Sequence, residues 1–256
     1  MSAESTLSDT VVERYLERIG FSGPVVVDLD TLASLQRAHM TTVAFENLDV
    51  FDRVGVSVEP SRTVAKIVDR SRGGWCFELN GAFAELLAHL GFEVRRLGAA
   101  VLLGGPNDLI DHATLEVTLD QPYLVDVGFG DSFTQPLALN SRDVQDGRSG
   151  AFQFFDSPKG TTMTRIVDGV PIPQFRFKRV TLSMRHFEPA SQRLQNDIGG
   201  DWLKKPFATR LVDGGPERVT LLTDRLKFHG GRATTEIPVE EQEWDDVLAE
   251  WFGICR

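Results

Sequence analysis

The chain has two cysteines, and one of them, Cys76, stands in a setting that suits nucleophilic chemistry. The segment Arg72–Asn80 reads RGGWCFELN, so two glycines break the chain just before a helical pattern begins. A cysteine at a helix N-terminus faces unpaired N–H groups and the positive end of the helix dipole, which favour a thiolate. The same N–H groups can stabilise an oxyanion on an attacked carbonyl. The alternative is a small buried hydrophobe, and Cys255, one residue from the C-terminus, has no such setting.

His112 is the histidine best placed to act as a base for this cysteine. It opens the β-like run 112–117, and a turn at 120–122 leads back into the run 123–127, which contains Asp126. A carboxylate among apolar strand residues is costly unless it is paired, and an imidazole N–H is a suitable partner. The other four of the five histidines lie on predicted helices or have no recognisable partner.

The strand spacing leaves the orienting carboxylate open between Asp126 and Asp111. A three-residue turn pairs Leu119 with Tyr123, which puts His112 and Asp126 on one face but about four residues, or roughly 13 Å, apart along the ladder. A β-bulge or strong shear is needed to close that gap. Asp111 is nearer in sequence, yet on an extended strand it points away from His112. Asp126 is therefore preferred.

The composition indicates a soluble protein with a real core and argues against several classes. The chain has 256 residues, 41% of them apolar, and a net charge of −10 from 27 basic and 37 acidic residues. This charge argues against a protein that mainly binds nucleic acid or an anionic membrane. No secretory signal, membrane-length apolar run or zinc-like cysteine spacing occurs, so we expect a cytoplasmic protein without a metal site. A polyanionic ligand would need a local basic patch, for which Phe175–Arg179 and Lys204–Lys205 are the densest candidates.

The apolar pattern is helical over the first ninety or so residues and then changes to short β-like runs. The first predicted helix is capped by Asp9 or Thr10 and stops at Gly20. The second covers Asp30–His39 and is capped by Asp30 or Thr31. Three more helices are predicted over Val64–Arg70, Trp75–Leu90 and Glu240–Phe252. The predicted strands are Glu93–Leu97, Ala99–Leu103, Ala113–Leu119, Tyr123–Val127, Phe152–Phe155, Thr162–Val167, Phe175–Thr181, Arg218–Leu222 and Lys227–His229. This order predicts an α+β fold in which a mostly antiparallel sheet or small barrel follows a helical domain.

Four motifs resemble the arylamine N-acetyltransferase family. They are YLERIG at Tyr15–Gly20, FENLD at Phe45–Asp49, the RGGWC motif, and DVGFG at Asp126–Gly130. The resemblance implies an N-terminal helical bundle over residues 1–92 that carries the nucleophile and an antiparallel β-barrel over 93–195 that carries the histidine and aspartate. A short C-terminal α/β lid over 196–256 and a cysteine-protease-like Cys-His-Asp core complete the expected fold.

The resemblance also implies the roles of particular residues. The catalytic triad is expected at Cys76, His112 and Asp126, and the aromatic acceptor pocket at Phe45, Phe129 and Gly130. Arg72 is expected to support the catalytic loop with Glu46 and Asp49. The C-terminal third departs from the family pattern, and there Lys204, Lys205 and Phe207 are expected to contact coenzyme A. The implied reaction is ping-pong transfer of an acetyl group from acetyl-CoA, as co-substrate, to an arylamine, arylhydroxylamine or hydrazine.

Three alternatives stay open from the sequence. Macrolactam-forming amide synthases resemble the same family, are likewise short, and take a polyketide acyl group from an acyl carrier protein. A Cys-His-Asp triad also serves cysteine hydrolases, in which water reaches the acyl-enzyme. A binding module that kept the fold without activity would show an ordinary thiol, whereas an enzyme should show rapid alkylation of Cys76 below neutral pH.

Overall fold

The computed structural model describes residues 5–197, 200–213, 217–230 and 233–256. The N-terminal part is helical, with one two-residue strand between its second and third helices. Its elements are α1 (Asp9–Arg18), α2 (Leu29–Thr42), β1 (Phe45–Glu46), α3 (Leu48–Phe51), α4 (Pro60–Arg70) and α5 (Cys76–His89). The central helix α5 is buried from Cys76 through Leu87 and packs against α1, α4 and the following strands. Nearly every polar group on α5 therefore needs a partner inside the protein.

The helix starts correct three details of the sequence prediction. α1 begins at Asp9 after Ser8, and α2 begins at Leu29 after Asp28, so the predicted caps were placed one to three residues too late. In α2 the Asp28 carboxylate accepts the Thr31 N–H at 2.8 Å, which is the usual role of an N-cap side chain. α4 begins at Pro60 rather than Val64, because proline is well suited to the first position of a helix.

The middle of the chain forms an eight-stranded antiparallel sheet that is nearly closed into a barrel. Its strands are β2 (Glu93–Val101), β3 (His112–Thr118), β4 (Pro122–Val125), β5 (Leu137–Ala138), β6 (Gln145–Asp146), β7 (Ala151–Ser157), β8 (Gly160–Val167) and β9 (Val170–Thr181). Their order is β5-β4-β3-β2-β9-β8-β7-β6. The Gln145 side chain bonds the backbone N and O of Ala138 at 2.7 and 3.0 Å and so links the two edges. The separate strands predicted over Glu93–Leu97 and Ala99–Leu103 are one continuous strand.

The register between β3 and β4 corrects the predicted separation of His112 and Asp126. Thr118 pairs with Pro122 and Leu115 with Val125, so the predicted pairing of Leu119 with Tyr123 was wrong. In the observed register the position of Asp126, just past β4, falls opposite Thr114. His112 is then only two residues, or about 7 Å, farther along the same face. Two side chains can close that distance without a bulge.

The C-terminal part is a five-stranded sheet covered on one face by a helix. A short helix α6 (Glu188–Gln195) leads to strands β10 (Ala208–Leu211), β11 (Arg218–Leu221), β12 (Arg225–Gly230) and β13 (Ala233–Pro238), and the chain closes with α7 (Trp244–Phe252). Apolar side chains of β10, β11 and β12 pack against Trp244, Leu248 and Phe252 of α7. Neither β10 nor β13 was predicted. The N-terminal strand β1 pairs with β10, so this sheet includes a segment from the beginning of the chain.

The order of helices, barrel and C-terminal sheet is the predicted α+β fold. Among the residues that the structure describes, no helix combines the length and apolar character that crossing a bilayer would require.

Candidate active site

Cys76 is the first residue of α5, and its side chain is almost fully buried. The thiol donates to the carbonyl oxygen of Asp111 at 3.9 Å, and Cys76 also interacts electrostatically with the ring of His112. The loop 126–130 approaches from the barrel side, where a Cβ on Gly128 would lie 2.8 Å from the Cys76 Cα. Glycine is therefore required for this loop to reach the start of the helix. Cys255, the other free cysteine, is exposed.

His112 connects the thiol to a buried carboxylate. Its Nε2 lies 2.6 Å from Asp126 Oδ2, which leaves Nδ1 for the thiol. Burial lowers the pKa of His112, but the attraction and hydrogen bond of Asp126, with smaller contributions from Cys76, outweigh it and raise this pKa to about 10. An imidazolium at neutral pH can hold a neighbouring thiolate as an ion pair.

Asp126 is held by donors on every side. Its Oδ1 accepts the Asn80 side-chain amide at 2.9 Å and the Gly128 N–H at 2.8 Å, while Oδ2 faces His112. Its backbone carbonyl accepts the side chain of Gln36 at 3.1 Å. The carboxylate is thus fixed in one orientation although it follows the last residue of β4.

Asn80 is a member of the site that the sequence reasoning missed. Besides its bond to Asp126, its Nδ2 donates to the Ala113 carbonyl at 2.7 Å, and its Oδ1 accepts the Val127 N–H at 3.0 Å. One side chain thereby joins α5, β3 and the loop after β4. The signal that could have found it is a polar residue four positions after the candidate nucleophile, on the same face of a helix with an apolar stripe.

The glycine pair before Cys76 is explained by two close approaches. A Cβ on Gly73 would lie 1.9 Å from the Ala44 carbonyl oxygen, and one on Gly74 would lie 2.4 Å from Glu78 Oε2. The backbone of Gly74 also exchanges hydrogen bonds with Ala44 and Glu46 at 3.2 and 3.0 Å. The turn into α5 is therefore held directly against the strand β1.

Five charged side chains form a connected cluster below this turn, called here the five-charge network: Arg72, Glu46, Asp49, Lys66 and Glu78. Arg72 Nη2 lies 2.9 Å from Glu46 Oε1 and 2.8 Å from Asp49 Oδ1, so the predicted trio is brought together. Lys66 Nζ extends it, at 2.8 Å from Asp49 Oδ2 and 2.9 Å from Glu78 Oε1. Both cations of the network are thus paired with carboxylates. Among the described residues, no cluster of His, Cys, Asp or Glu is suited to a metal ion.

The three residues expected to form an acceptor pocket lie beside Cys76 and His112. The Phe129 ring packs edge-on against His112 with centroids 5.0 Å apart. A Cβ on Gly130, whose φ is +89°, would touch the Phe45 ring at 3.4 Å. Phe45 in turn contacts Trp202 and Phe207, with centroids 5.9 and 5.6 Å apart. Both Phe45 and Phe129 are only partly buried, so an apolar ring could pack against their exposed faces.

A cleft of about 690 Å³ opens next to this aromatic group. Among the residues that line it are Trp202, Lys204, Lys205, Phe207, Asp224 and Arg225. Both lysines are exposed, while Arg225 forms ion pairs with Asp224 at 2.8 Å and Glu236 at 3.0 Å. The cleft therefore combines an apolar wall with cationic groups at its rim.

Asn47 fixes one wall of this cleft and was also missed. Its side-chain nitrogen donates to the carbonyls of Trp202 and Lys205, both at 2.9 Å, and its side-chain oxygen accepts the Phe207 N–H at 2.9 Å. Asn47 lies in the FENLD motif, two residues after Phe45. One segment therefore supplies both an aromatic ring and the support of the cleft wall.

The other predicted basic patch, Phe175–Arg179, is not an open cationic surface. The segment lies in β9, where both phenylalanines point into the barrel core. Arg176 is paired with Asp108, and Arg179 donates to Glu116 at 2.6 Å. Its charge is largely compensated by these neighbours.

The whole chain is similar to known acetyltransferases. The model of a family described as N-acetyltransferase matches residues 28–255. An arylamine N-acetyltransferase of Mycolicibacterium smegmatis is 37% identical over 94% of this chain and 90% of its own length, and one of Escherichia coli is 30% identical over 95% and 89%. The solved structure of the Mycobacterium marinum arylamine N-acetyltransferase in complex with CoA superposes with a TM-score of 0.87 and 32% identity, covering 95% of this chain and 92% of that one.

Proposed function

Since the chain belongs to the arylamine N-acetyltransferase family, we propose that it transfers the acetyl group of acetyl-CoA to an aromatic amine, hydroxylamine or hydrazine through a thioester on Cys76. The observation that carries this proposal is the grouping of Cys76, His112 and Asp126, in which His112 interacts with Cys76 and its Nε2 lies 2.6 Å from Asp126 Oδ2. Cys76 stands at the start of a helix, and the apolar cleft with a cationic rim shares Trp202 with the apolar cluster around Cys76.

In the first half-reaction the Cys76 thiolate attacks the thioester carbonyl of acetyl-CoA. A bond forms between Sγ and the acetyl carbon, and the bond from that carbon to the sulfur of CoA breaks. His112 gives its proton to the departing CoA thiolate and becomes neutral. The N–H groups at the start of α5 are available to the oxyanion, because a helix leaves its first four N–H groups without internal partners.

In the second half-reaction the amine nitrogen attacks the acetyl-cysteine. Neutral His112 accepts the proton that the nitrogen loses, the carbon–Sγ bond breaks, and the Cys76 thiolate is regenerated beside an imidazolium. Asp126 is positioned to stabilise that imidazolium, at 2.6 Å from Nε2. The amide product then leaves.

The two substrates would use two neighbouring surfaces, the cleft and the aromatic group, which are joined where Phe45 contacts Trp202 and Phe207. The exposed lysines Lys204 and Lys205 are suited to the phosphates of CoA, and the ring of Phe207 is suited to its apolar pantetheine arm. The acceptor ring would pack between Phe45 and Phe129 beside Gly130. A cytoplasmic location and the division of the chain at residues 92 and 195 remain predictions alongside this proposal.

The test is intact mass spectrometry of the purified protein after addition of acetyl-CoA alone and then of an aromatic hydrazine. We expect one acetyl group to be gained and then lost. Cys76→Ala should gain none, whereas Cys255→Ala, which removes the other free thiol, should behave like the wild type.

The other outcomes would point to the alternatives. No adduct despite rapid alkylation of Cys76 would contradict acetyl transfer and favour a larger acyl donor, such as a polyketide on an acyl carrier protein. Loss of the acetyl group without any amine would favour a cysteine hydrolase. Slow, ordinary alkylation of Cys76 would favour a binding module.

A further inference from the structure

Glu78 is a buried carboxylate close to the reacting thiol for which the mechanism above has no use. It lies two residues after Cys76, on the first turn of α5, and is 4% exposed. Its Oε2 accepts the backbone N–H of Trp75 at 3.2 Å, and its Oε1 accepts Lys66 Nζ at 2.9 Å. The carboxylate thus connects α4 to the backbone that immediately precedes the nucleophile.

The same carboxylate also shapes the turn before Cys76. It lies so close to Gly74 that a Cβ there would be 2.4 Å from Glu78 Oε2. Gly74 and Trp75 are the two residues that lead the chain into α5. The contacts of the Glu78 carboxylate with the Gly74 backbone and the Trp75 N–H therefore set the direction in which the chain enters α5 at Cys76.

The five-charge network has one more negative than positive charge, and Glu78 is the carboxylate in it that pairs with a single cation. From α4, α3, β1 and the loop before α5, the network contributes Lys66, Asp49, Glu46 and Arg72, so the five groups carry a net charge of −1 when all are ionised. Arg72 and Lys66 both contact Asp49, whereas Glu78 has Lys66 as its cation. Burial raises the pKa of Glu78 to about 7, with Glu46 acting in the same direction and Lys66 opposing both.

Neither carboxylate oxygen of Glu78 can take up a proton without disturbing a hydrogen bond that it already accepts. Each carboxylate oxygen already faces a donor, Lys66 on one side and the Trp75 N–H on the other. A protonated carboxyl oxygen is a poor acceptor, so protonation weakens one of these two contacts. The turn before Cys76 is therefore held less firmly when Glu78 is protonated.

We propose that Glu78 is a positioning residue for acyl transfer: its ionised carboxylate, held by Lys66, fixes the Gly74–Trp75 turn and with it the place of Cys76 against His112. The reactivity of Cys76 therefore rises as Glu78 loses its proton near neutral pH. This inference rests on the proposed function for its biological meaning, but the thiol itself reports on it without any acetyl donor.

The test is the rate of alkylation of Cys76 by iodoacetamide between pH 5.5 and 9, measured in a Cys255→Ser background so that one thiol reacts. We expect a rise centred near pH 7 in the parent protein and its absence in Glu78→Gln, with a plateau about tenfold lower. The matched control is Glu85→Gln, which alters another buried glutamate of α5, bound by Arg96 at 2.6 Å. It should keep the parent profile.

Lys66→Met provides the second arm, because it removes the cation and leaves the carboxylate. The rise should then move above pH 8, which a purely structural support would not produce. A rise that persists in Glu78→Gln, or that stays at the same pH in Lys66→Met, would overturn the proposal. Absence of acetyl transfer with these alkylation profiles intact would refute the proposed function and leave this inference standing.

Discussion

Replacing Asp126 by asparagine should change which nitrogen of His112 carries the proton. The Asn80 amide and the Gly128 N–H both donate to Oδ1 of Asp126, at 2.9 and 2.8 Å. An asparagine carbonyl will therefore occupy that position, and its NH₂ group will face His112 Nε2. Nε2 must then accept, so the ring proton moves to Nδ1, the nitrogen left for the Cys76 thiol. In this tautomer His112 cannot act as a base for Cys76.

The size of the effect follows from the environment of His112. Asp126 and Cys76 raise the pKa of His112 from 6.5 to about 10 against burial, which lowers it. At about 1.4 kcal/mol for each tenfold change, this rise corresponds to roughly 5 kcal/mol in favour of the imidazolium. Without the Asp126 charge, burial dominates and the ring is neutral at pH 7. We expect the rate of Cys76 acetylation to fall by roughly 10³-fold or more.

The assay is single-turnover acetylation of Cys76 followed by quenched mass spectrometry at pH 7. Asp111→Asn is the control, because Asp111 was the other candidate for orienting His112. Its carboxylate instead accepts the Val101 N–H at 2.8 Å and the Asn107 side chain at 2.6 Å, so its variant should stay within a few-fold of the parent. An Asp126→Asn enzyme that retains more than a tenth of the parent rate would refute the assignment. An Asp111→Asn enzyme whose rate falls more than tenfold would refute it as well.

Three further results are expected. Asn80→Ala should lower the free energy of unfolding, measured with urea, by about 3 kcal/mol, because three buried hydrogen bonds at about 1 kcal/mol each are lost; a loss below 1 kcal/mol would contradict this. Asn47→Ala should raise the KM for acetyl-CoA severalfold in steady-state assays with little change in kcat, since it releases a wall of the cleft and leaves the triad in place; an unchanged KM would argue against that role. Burial lowers the pKa of His39 to about 3, below its unfolded value of about 6.5, so its contribution is present above pH 6.5 and is lost as pH falls through 3. From pH 6.5 to pH 4, the free energy of unfolding should therefore fall by about 3 kcal/mol less in His39→Gln than in the parent protein. Equal falls would be evidence against a neutral buried His39.

The nucleophile and its helix could be predicted because their signals are local. Two glycines, the cysteine and the apolar stripe of the helix that follows all lie between Gly73 and Leu90. The separation of His112 and Asp126 could not be predicted equally well, because it depends on the β3–β4 register. A two-position change in the partner of Thr118 alters the distance along the ladder by two residues, and the turn sequence 119–121 does not decide between the registers.

The remaining misses involve partners that are distant in sequence. Strand β10 reads as an ordinary short segment, and it becomes part of a sheet because β1 pairs with it from the start of the chain. Asn47 shows the same limit, since its three side-chain bonds reach residues about 155–160 positions away. Asn80 is different: its position on the face of Cys76 was available from the sequence, but its three partners were not.

The pairing of β1 with β10 has a consequence for how the protein is made. Phe45 and Thr209, which lie opposite each other, are 164 residues apart. At ribosomal rates of about 5–20 residues per second, roughly 8–33 seconds pass between the synthesis of the two strands. Throughout that time the edge of β1, and the turn into α5 that rests on it, lack their partner strand. In a nascent chain, Cys76 is therefore synthesised well before the site around it can be completed. Contacts of such long range also predict slow folding of this part of the protein.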